Sequence, residues 1–186
     1  ILIDDNNAII TSALVAGDGV TGLTGTLDEF GGMLQFRPTM NISASSTGNV
    51  IAAQSVLASE LTANPNDYES EYVRIYEYAL IDAAENPTWV VGTEYQMLTQ
   101  SGSYTFRTSF YDVDYIGADV PTSSTTVVSG IITERNDGSY YITARSLADF
   151  ANTLGANENT IQGFVMTPNP ANTFIQVKAA SNSPIS

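Results

Sequence analysis

Two acidic clusters are the residues in this chain best suited to holding a cation. Asp4-Asp5-Asn6-Asn7 sets four oxygen-bearing side chains in a row, and Asp112-x-Asp114 is followed by Asp119. Calcium takes about six to eight oxygen ligands, and acidic loops on β-proteins often supply them. Neither cluster has the spacing of an EF-hand or a repeat-type calcium loop. Calcium at Asp4, Asp5, Asp112, Asp114 and Asp119 therefore stands beside the plainer reading of solvated acidic loops. On a strand over Tyr111–Tyr115, alternation would turn Asp112 and Asp114 to one face and the tyrosines to the other.

The aromatic residues offer a second chemistry. Tyr72, Tyr76 and Tyr78 share parity on a strand, and Trp89, Tyr104 and Tyr111 follow in later segments. An exposed stripe of this kind is a stacking platform for sugars or bases. The competing reading is a β core with cross-strand aromatic pairs. Trp89, which follows Asn86-Pro87-Thr88, suits either a core anchor or a platform.

Paired carboxylates could run glycoside hydrolysis, with Glu69, Glu71, Glu77 and Asp82 as candidates. Any chain with 20 acidic residues offers such pairs, and no motif marks one as buried or polarised. Histidine and cysteine are absent. The commonest general base near neutral pH and the commonest zinc ligands are missing with them, so Ser-His-Asp and Cys-His catalysis are excluded from this segment. The expectation is a chain that is not an enzyme and has no cofactor beyond the calcium named above. Arg37 and Arg145, at like places in two similar segments, could form a paired anion site. A rim ion pair with a neighbouring acid is the simpler account.

Composition narrows the partners. Six basic residues against 20 acidic ones leave a net charge of −14, and the cations are scattered along the chain. A nucleic-acid binder needs clustered cations to displace counterions from phosphates, so nucleic acid is not expected as a partner and anionic membrane surfaces are disfavoured. No apolar run approaches the ~20 residues that span a bilayer, so membrane insertion is not expected. At 186 residues and 43% hydrophobic, the chain can bury a core in one or two small domains.

These side chains must be positioned by strands. Val, Ile, Thr, Tyr and Phe dominate short runs bounded by Gly, Asn, Asp, Ser and Pro. The runs predict strands over Ile1–Asp4, Ala8–Ala13, Gly19–Leu27, Met33–Arg37, Glu71–Ala79, Trp89–Leu98, Ser103–Phe110, Thr126–Glu134 and Ser139–Ala144. Asp137-Gly138 reads as a type I′ hairpin, and Gly31-Gly32 and Ser101-Gly102 play similar parts. Short helical turns are predicted at Ala58–Ala63 and from Ser146 to about Leu154, the second with a capping-box-like Ser146…Asp149.

One internal echo organises the chain. VTGLTGTLDEFGGMLQFRP at Val20–Pro38 parallels VSGIITERNDGSYYITARS at Val128–Ser146, each opening on Val-x-Gly, turning at a glycine and returning to an arginine. Units of this form resemble the tandem OB-like β-barrel domains of secreted Bacteroidetes-type proteins. The tail FVMTPNPANTFIQV, with Pro168-Asn169-Pro170-Ala171-Asn172 leading into a β-type run at Thr173–Val177, resembles the opening of a type IX secretion sorting domain. The resemblance implies an all-β, mainly antiparallel chain. It would hold one partial and one near-complete OB-like barrel or sandwich unit, with one or two short helices. The divisions expected are 1–45 for the partial unit, 46–155 for the second, and 156–186 for a linker and a sorting-type tail or pairing strand. The β-like opening ILIDD and the short tail suggest a mature or excised segment.

The resemblance implies an extracellular or cell-surface location. The first functional reading is a non-catalytic module with a structural or adhesive role, acting through self-association or contact with another surface protein. A strand donated from Ile1–Asp4 or Thr173–Val177 could complete a neighbour's open sheet edge, as in a filament subunit. The alternative is an accessory domain of a secreted hydrolase or nuclease that presents aromatics to a polysaccharide.

Overall fold

The structure, a computed structural model, describes residues 1–122, 126–151, 164–167 and 176–179. They fall in two compact units, Ile1–Leu154 and Gly155–Ser186. The first holds β1 (Leu2–Ile3), β2 (Gly19–Val20), β3 (Gly25–Phe30), β4 (Met33–Pro38), β5 (Ala44–Ser46), β6 (Gln54–Val56) and helix α1 (Ala58–Ala63). After a 3-10 turn at Pro65–Tyr68 come β7 (Tyr72–Ile75), β8 (Leu80–Ile81), β9 (Glu94–Leu98), β10 (Ser103–Arg107), β11 (Val127–Glu134), β12 (Tyr140–Thr143) and β13 (Phe150–Ala151). The chain is all-β and mainly antiparallel.

The larger sheet runs β6-β7-β11-β12-β10-β9-β8, with β13 beside β11. Its pairings are antiparallel except β6 on β7 and β10 on β12. The ladder does not close among the described residues. A single bridge, Ala79 to Thr126, links the approach to β8 with the approach to β11. Strict alternation drives the layering: in β7, β9 and β10 every second residue is buried. The inward set includes Val73, Ile75, Met97, Phe106, Ile132 and Ile142. Full burial of each such side chain contributes about 1.5–3 kcal/mol. Around them stand Trp89, Tyr95, Tyr115 and Phe150. Trp89 stacks on Phe150 at 4.8 Å and meets Phe106 at 4.7 Å.

A three-stranded sheet, β1-β4-β3, precedes this one, with β1 parallel to β4 and β3 antiparallel to it. The echo in the sequence reappears as a pairing pattern. Each Val-x-Gly segment leads into an antiparallel hairpin, and the return strand of each hairpin takes a parallel partner, β1 on β4 and β10 on β12. Arg37 and Arg145 are not equivalent within that pattern, since Arg37 lies in β4 and Arg145 beyond the end of β12.

Several expected elements differ, each for a local reason. Ala8–Ala13 is not a strand, because the Asp5 carboxylate accepts the amides of Ile9 and Ile10, both at 2.8 Å. Tyr111–Tyr115 is bends and turns, so Asp112 and Asp114 share no strand face. The run expected from Ser146 is a 3-10 turn at Leu147–Asp149 leading into β13, and Ser146 makes no side-chain cap. The type I′ turn sits at Gly31-Gly32, where both φ angles are positive (69° and 91°). At the other hairpin only Gly138 is left-handed (φ 76°), and its amide donates to Arg135 O at 2.8 Å. Helix α1 has the expected span; the Leu57 amide donates to the Glu60 carboxylate at 2.7 Å, and Leu61 is buried.

The second unit contains β14 (Phe164–Thr167) paired antiparallel with β15 (Gln176–Ala179). Pro168–Asn172 and most of the run expected at Thr173–Val177 lie outside the described residues.

Candidate functional site

The expected aromatic platform divides between core and surface. Trp89 is 1% exposed and Tyr104 is 7% exposed, so both are core residues and leave the platform. Both sit on inward positions, and the Tyr95 hydroxyl, which donates to Thr88 O at 2.8 Å, fastens the segment that carries Trp89. Tyr72 is half-buried: its hydroxyl donates to Asp149 Oδ1 at 2.8 Å, and the Arg145 guanidinium lies 3.6 Å over its ring. Tyr76, Tyr78 and Tyr111 remain exposed. Alternation continues past the end of β7, so Tyr76, Tyr78 and Leu80 point outward together, and Leu80 pairs in register with Leu98 of β9. These four form an uncharged apolar stripe on the outside of the sheet.

Three of the five acidic residues named for calcium, Asp4, Asp5 and Asp114, have structural partners. Asp4 pairs with Arg37 at 3.2 Å, and Asp5 is committed to the Ile9 and Ile10 amides. Asp114 accepts the Leu147 amide at 2.6 Å, and Asp112 and Asp119 are exposed. Among the described residues no three acidic side chains converge as a metal-binding group. Arg37 bridges Asp4 and Asp28, and Arg145 pairs with Asp149, so the two arginines form rim ion pairs and not a joint anion site.

Glu77, like Asp149, is a heavily bonded carboxylate with four donors. It accepts from the Ser101 amide and hydroxyl, both at 2.6 Å, from the Thr99 hydroxyl at 3.0 Å and from the Ala58 amide at 3.3 Å. Burial by itself would raise its pKa. The donors from Ser101, Ala58 and Thr99 outweigh that and hold it below the usual glutamate range. A carboxylate so occupied fastens the start of α1 to the β9–β10 turn. Of the four acids considered for hydrolysis, Glu69 is also spent, on the Leu34 amide at 2.7 Å.

The arrangement with chemical potential lies elsewhere. A cavity of about 480 Å³ opens between the β1-β4-β3 sheet and the outward face of β11 with the end of β10. Gln35, Ser70, Arg107, Ile131 and Thr133 line it, and the exposed Phe30 and Tyr111 form its rim. Alternation makes this face: Ile132 points to the core while its neighbours Ile131 and Thr133 point out. Two contacts hold the layers together. One is the Leu34–Glu69 hydrogen bond; the other is Gly32, whose backbone lies so close to Arg135 O that a Cβ would stand 2.7 Å from it.

Three polar atoms of residues that line this cleft are shut off from solvent and have no hydrogen-bond partner among the described residues: Gln35 Oε1, Ser70 Oγ and Arg107 Nε. Leaving such a group unpaired costs about 1–3 kcal/mol, which makes three in one place unusual. The Arg107 Nε nevertheless faces the Glu94 carboxylate, 3.8 Å from Oε1, beyond hydrogen-bond length but within an ion pair, and Nη1 donates to Ser109 Oγ at 3.3 Å. Thr143 donates to Ser109 at 3.1 Å, and Thr133 lies 3.3 Å from Thr143, continuing a line of hydroxyls into the sheet. Ser70 holds φ at 63°, a left-handed conformation uncommon outside glycine.

None of Gln35, Ser70 or Arg107 stood out in the sequence. Gln35 and Arg107 are polar residues on strands and Ser70 lies in a turn, and what joins them is invisible until the two sheets meet. Comparison of the chain with family models, curated proteins and solved structures gives no match.

Proposed function

We propose that the chain is a non-catalytic extracellular β-module with a structural or adhesive role, acting through self-association of its outer face. The observation that carries this is the stripe Tyr76, Tyr78, Leu80 and Leu98, which are 61, 43, 45 and 59% exposed. None of them is needed for the core, and contiguous exposed apolar residues of this kind mark interaction surfaces. With a net charge of −14, copies of the chain repel each other. They can approach most closely where the surface is uncharged, as it is along this stripe. Strand donation loses support, because Leu2–Ile3 pairs with β4 and Gln176–Ala179 with β14 within the chain.

An OB-like reading of the larger sheet supports a module of this class. β7 and β8 act as two halves of one strand, reaching β11 at one end and β9 at the other. β10 runs parallel to β12, and the Ala79–Thr126 bridge draws the two ends of the path together. The β1-β4-β3 sheet is then the partial counterpart of β10-β12-β11. Export through a type IX system rests on the resemblance of the barrel and tail motifs.

Light scattering across a wide concentration range tests the reading. Reversible association should strengthen as salt screens the charge and disappear in Leu80→Lys and Leu98→Lys. A chain that stays monomeric throughout overturns it. The accessory polysaccharide-binding reading is favoured at a different place, the interlayer cleft, where the exposed Phe30 and Tyr111 rings rim the cavity.

A further inference from the structure

We infer that the free edge of β3 takes an extended, cationic segment of another protein as an added strand, with an apolar residue beside Leu27 and a lysine or arginine beside Glu29. This edge belongs to the smaller sheet, away from the outer stripe, and its use is independent of association through that stripe.

Parity decides which backbone groups are free. The Thr39 amide donates to Thr24 O at 2.9 Å, so the even-numbered residues of β3 turn their N–H and C=O groups to β4. Leu34 and Phe36, opposite Glu29 and Leu27, spend theirs on the far side of β4. The Leu34 amide donates to Glu69 at 2.7 Å, and Phe36 O accepts the Asp4 amide at 3.0 Å. Gly25, Leu27 and Glu29 therefore direct their backbone groups away from β4, and β3 has no other strand beside it. The Asp28 carboxylate takes the Glu29 amide at 2.9 Å. Among the described residues nothing takes the amide or carbonyl of Leu27, so a strand laid alongside can exchange both ladder bonds there.

Side chains set the chemistry of the strand that fits. Ile3, Phe36 and Leu27 stand in one row across the three strands, and Ile3 and Leu27 are exposed. An apolar residue opposite Leu27 extends that row and covers its open end. Two places along, Glu29 has no cation among the described residues. Arg37, the one basic residue of β1, β3 and β4, bridges Asp4 and Asp28. A lysine or arginine opposite Glu29 supplies the missing charge. Read along an antiparallel partner, the pattern is a cation, any residue, then an apolar residue.

Other occupants match less well. A neutral strand leaves Glu29 uncompensated, and an acidic one is repelled. A second copy could set leucine against Leu27 but brings a charge of −14 against −14. The same acidity that keeps copies apart steers a cationic segment inward.

The test is fluorescence anisotropy of the full chain with a labelled, end-blocked peptide, Arg-Thr-Lys-Thr-Val-Thr-Val-Thr, whose lysine and first valine fall opposite Glu29 and Leu27. Two control peptides carry glutamate for both cations, or proline for the first valine. The cationic peptide should bind at chain concentrations up to about 1 mM, the weak range of a short segment that orders on binding, and salt should weaken it. Each control should bind at least about ten-fold less tightly. Leu27→Pro removes an amide that β4 does not use, so it should abolish binding and keep Tm within a few degrees. Thr26→Pro cuts the β3–β4 ladder and should lower Tm. Glu29→Lys should keep the fold and transfer the preference to the acidic peptide. Equal binding of the proline peptide, or binding untouched by Leu27→Pro, is plain adsorption of cations and overturns the proposal. A fall in Tm as large in Leu27→Pro as in Thr26→Pro overturns it as well, as does a cationic peptide that fails to bind. Self-association that salt strengthens and Leu27→Pro removes gives the edge to a second copy instead.

Discussion

Arg145 grips Asp149 at both carboxylate oxygens, Nε to Oδ2 at 3.1 Å and Nη2 to Oδ1 at 3.0 Å, while its backbone amide donates to Oδ2 at 2.8 Å. The two partners differ in surroundings. The Asp149 side chain is 4% exposed and that of Arg145 36%. Removing the arginine strands a carboxylate in the interior, whereas removing the aspartate leaves a guanidinium that can turn to water. Arg145→Ala should therefore cost about 3 kcal/mol and Asp149→Ala about 2, with Tyr72→Phe losing only about 1. Urea unfolding of the three variants measures the order.

Acid should unfold the chain through two carboxylates. Burial would raise the pKa of Asp149, but Arg145 and the Tyr72 hydroxyl outweigh it and hold the group below the usual aspartate range; Glu77 is lowered by its own donors. A group whose pKa is lower in the folded state contributes stability above its unfolded value, near pH 4 for these acids. That contribution declines as pH falls through the unfolded value and is gone below the folded one. Stability should hold from neutral to about pH 5 and drop steeply below about pH 4. In Glu77→Gln the drop should be shallower, from a starting stability about 2 kcal/mol lower. Denaturation curves at a series of pH values decide this.

The two hairpin turns should respond unequally to alanine. Gly32 combines φ 91° with a carbonyl oxygen 2.7 Å from any Cβ, while Gly138 combines φ 76° with open space. Gly138→Ala bears only the left-handed conformation, about 1 kcal/mol. Gly32→Ala adds a backbone clash between the layers and should cost at least about 2 kcal/mol more. Equal losses in thermal unfolding would contradict the close seating of β3 and β4 on Arg135.

Truncating aromatics should separate core from surface. Trp89→Ala opens a cavity among Tyr95, Phe106, Tyr115 and Phe150 and should cost about 3–5 kcal/mol. Tyr111→Ala, at a site 76% exposed, should stay within about 0.5 kcal/mol.

Much of the strand pattern was legible because alternation is a local property. Tyr72, Tyr76 and Tyr78 do share a face, Ala58–Ala63 is the helix, and Val20–Pro38 and Val128–Ser146 do lead into like-paired hairpins. What failed was whatever a side chain decides by reaching across the fold. Asp5 takes two amides that would otherwise serve a strand, and Glu77 looks like any acid in a tyrosine-rich run until Ser101 and Ala58 converge on it. Trp89 followed a turn signal and carried no parity, so core and platform could not be told apart. Gln35, Ser70 and Arg107 come from three distant segments, and no spacing rule joins them.

The like-paired hairpins also have a kinetic side. Return strands β4 and β12 each present one edge to a short parallel partner, which leaves β1 able to dock on β12 before β10 reaches it. Escape from that state means breaking the wrong ladder, and refolding should show a slow phase absent from unfolding. Replacing Leu2 and Ile3 by serine weakens the wrong docking and should remove that phase, leaving the pairing of β10 with β12 to form in one step. A chain built on an internal echo would then owe its slowest motion to the resemblance between its own halves.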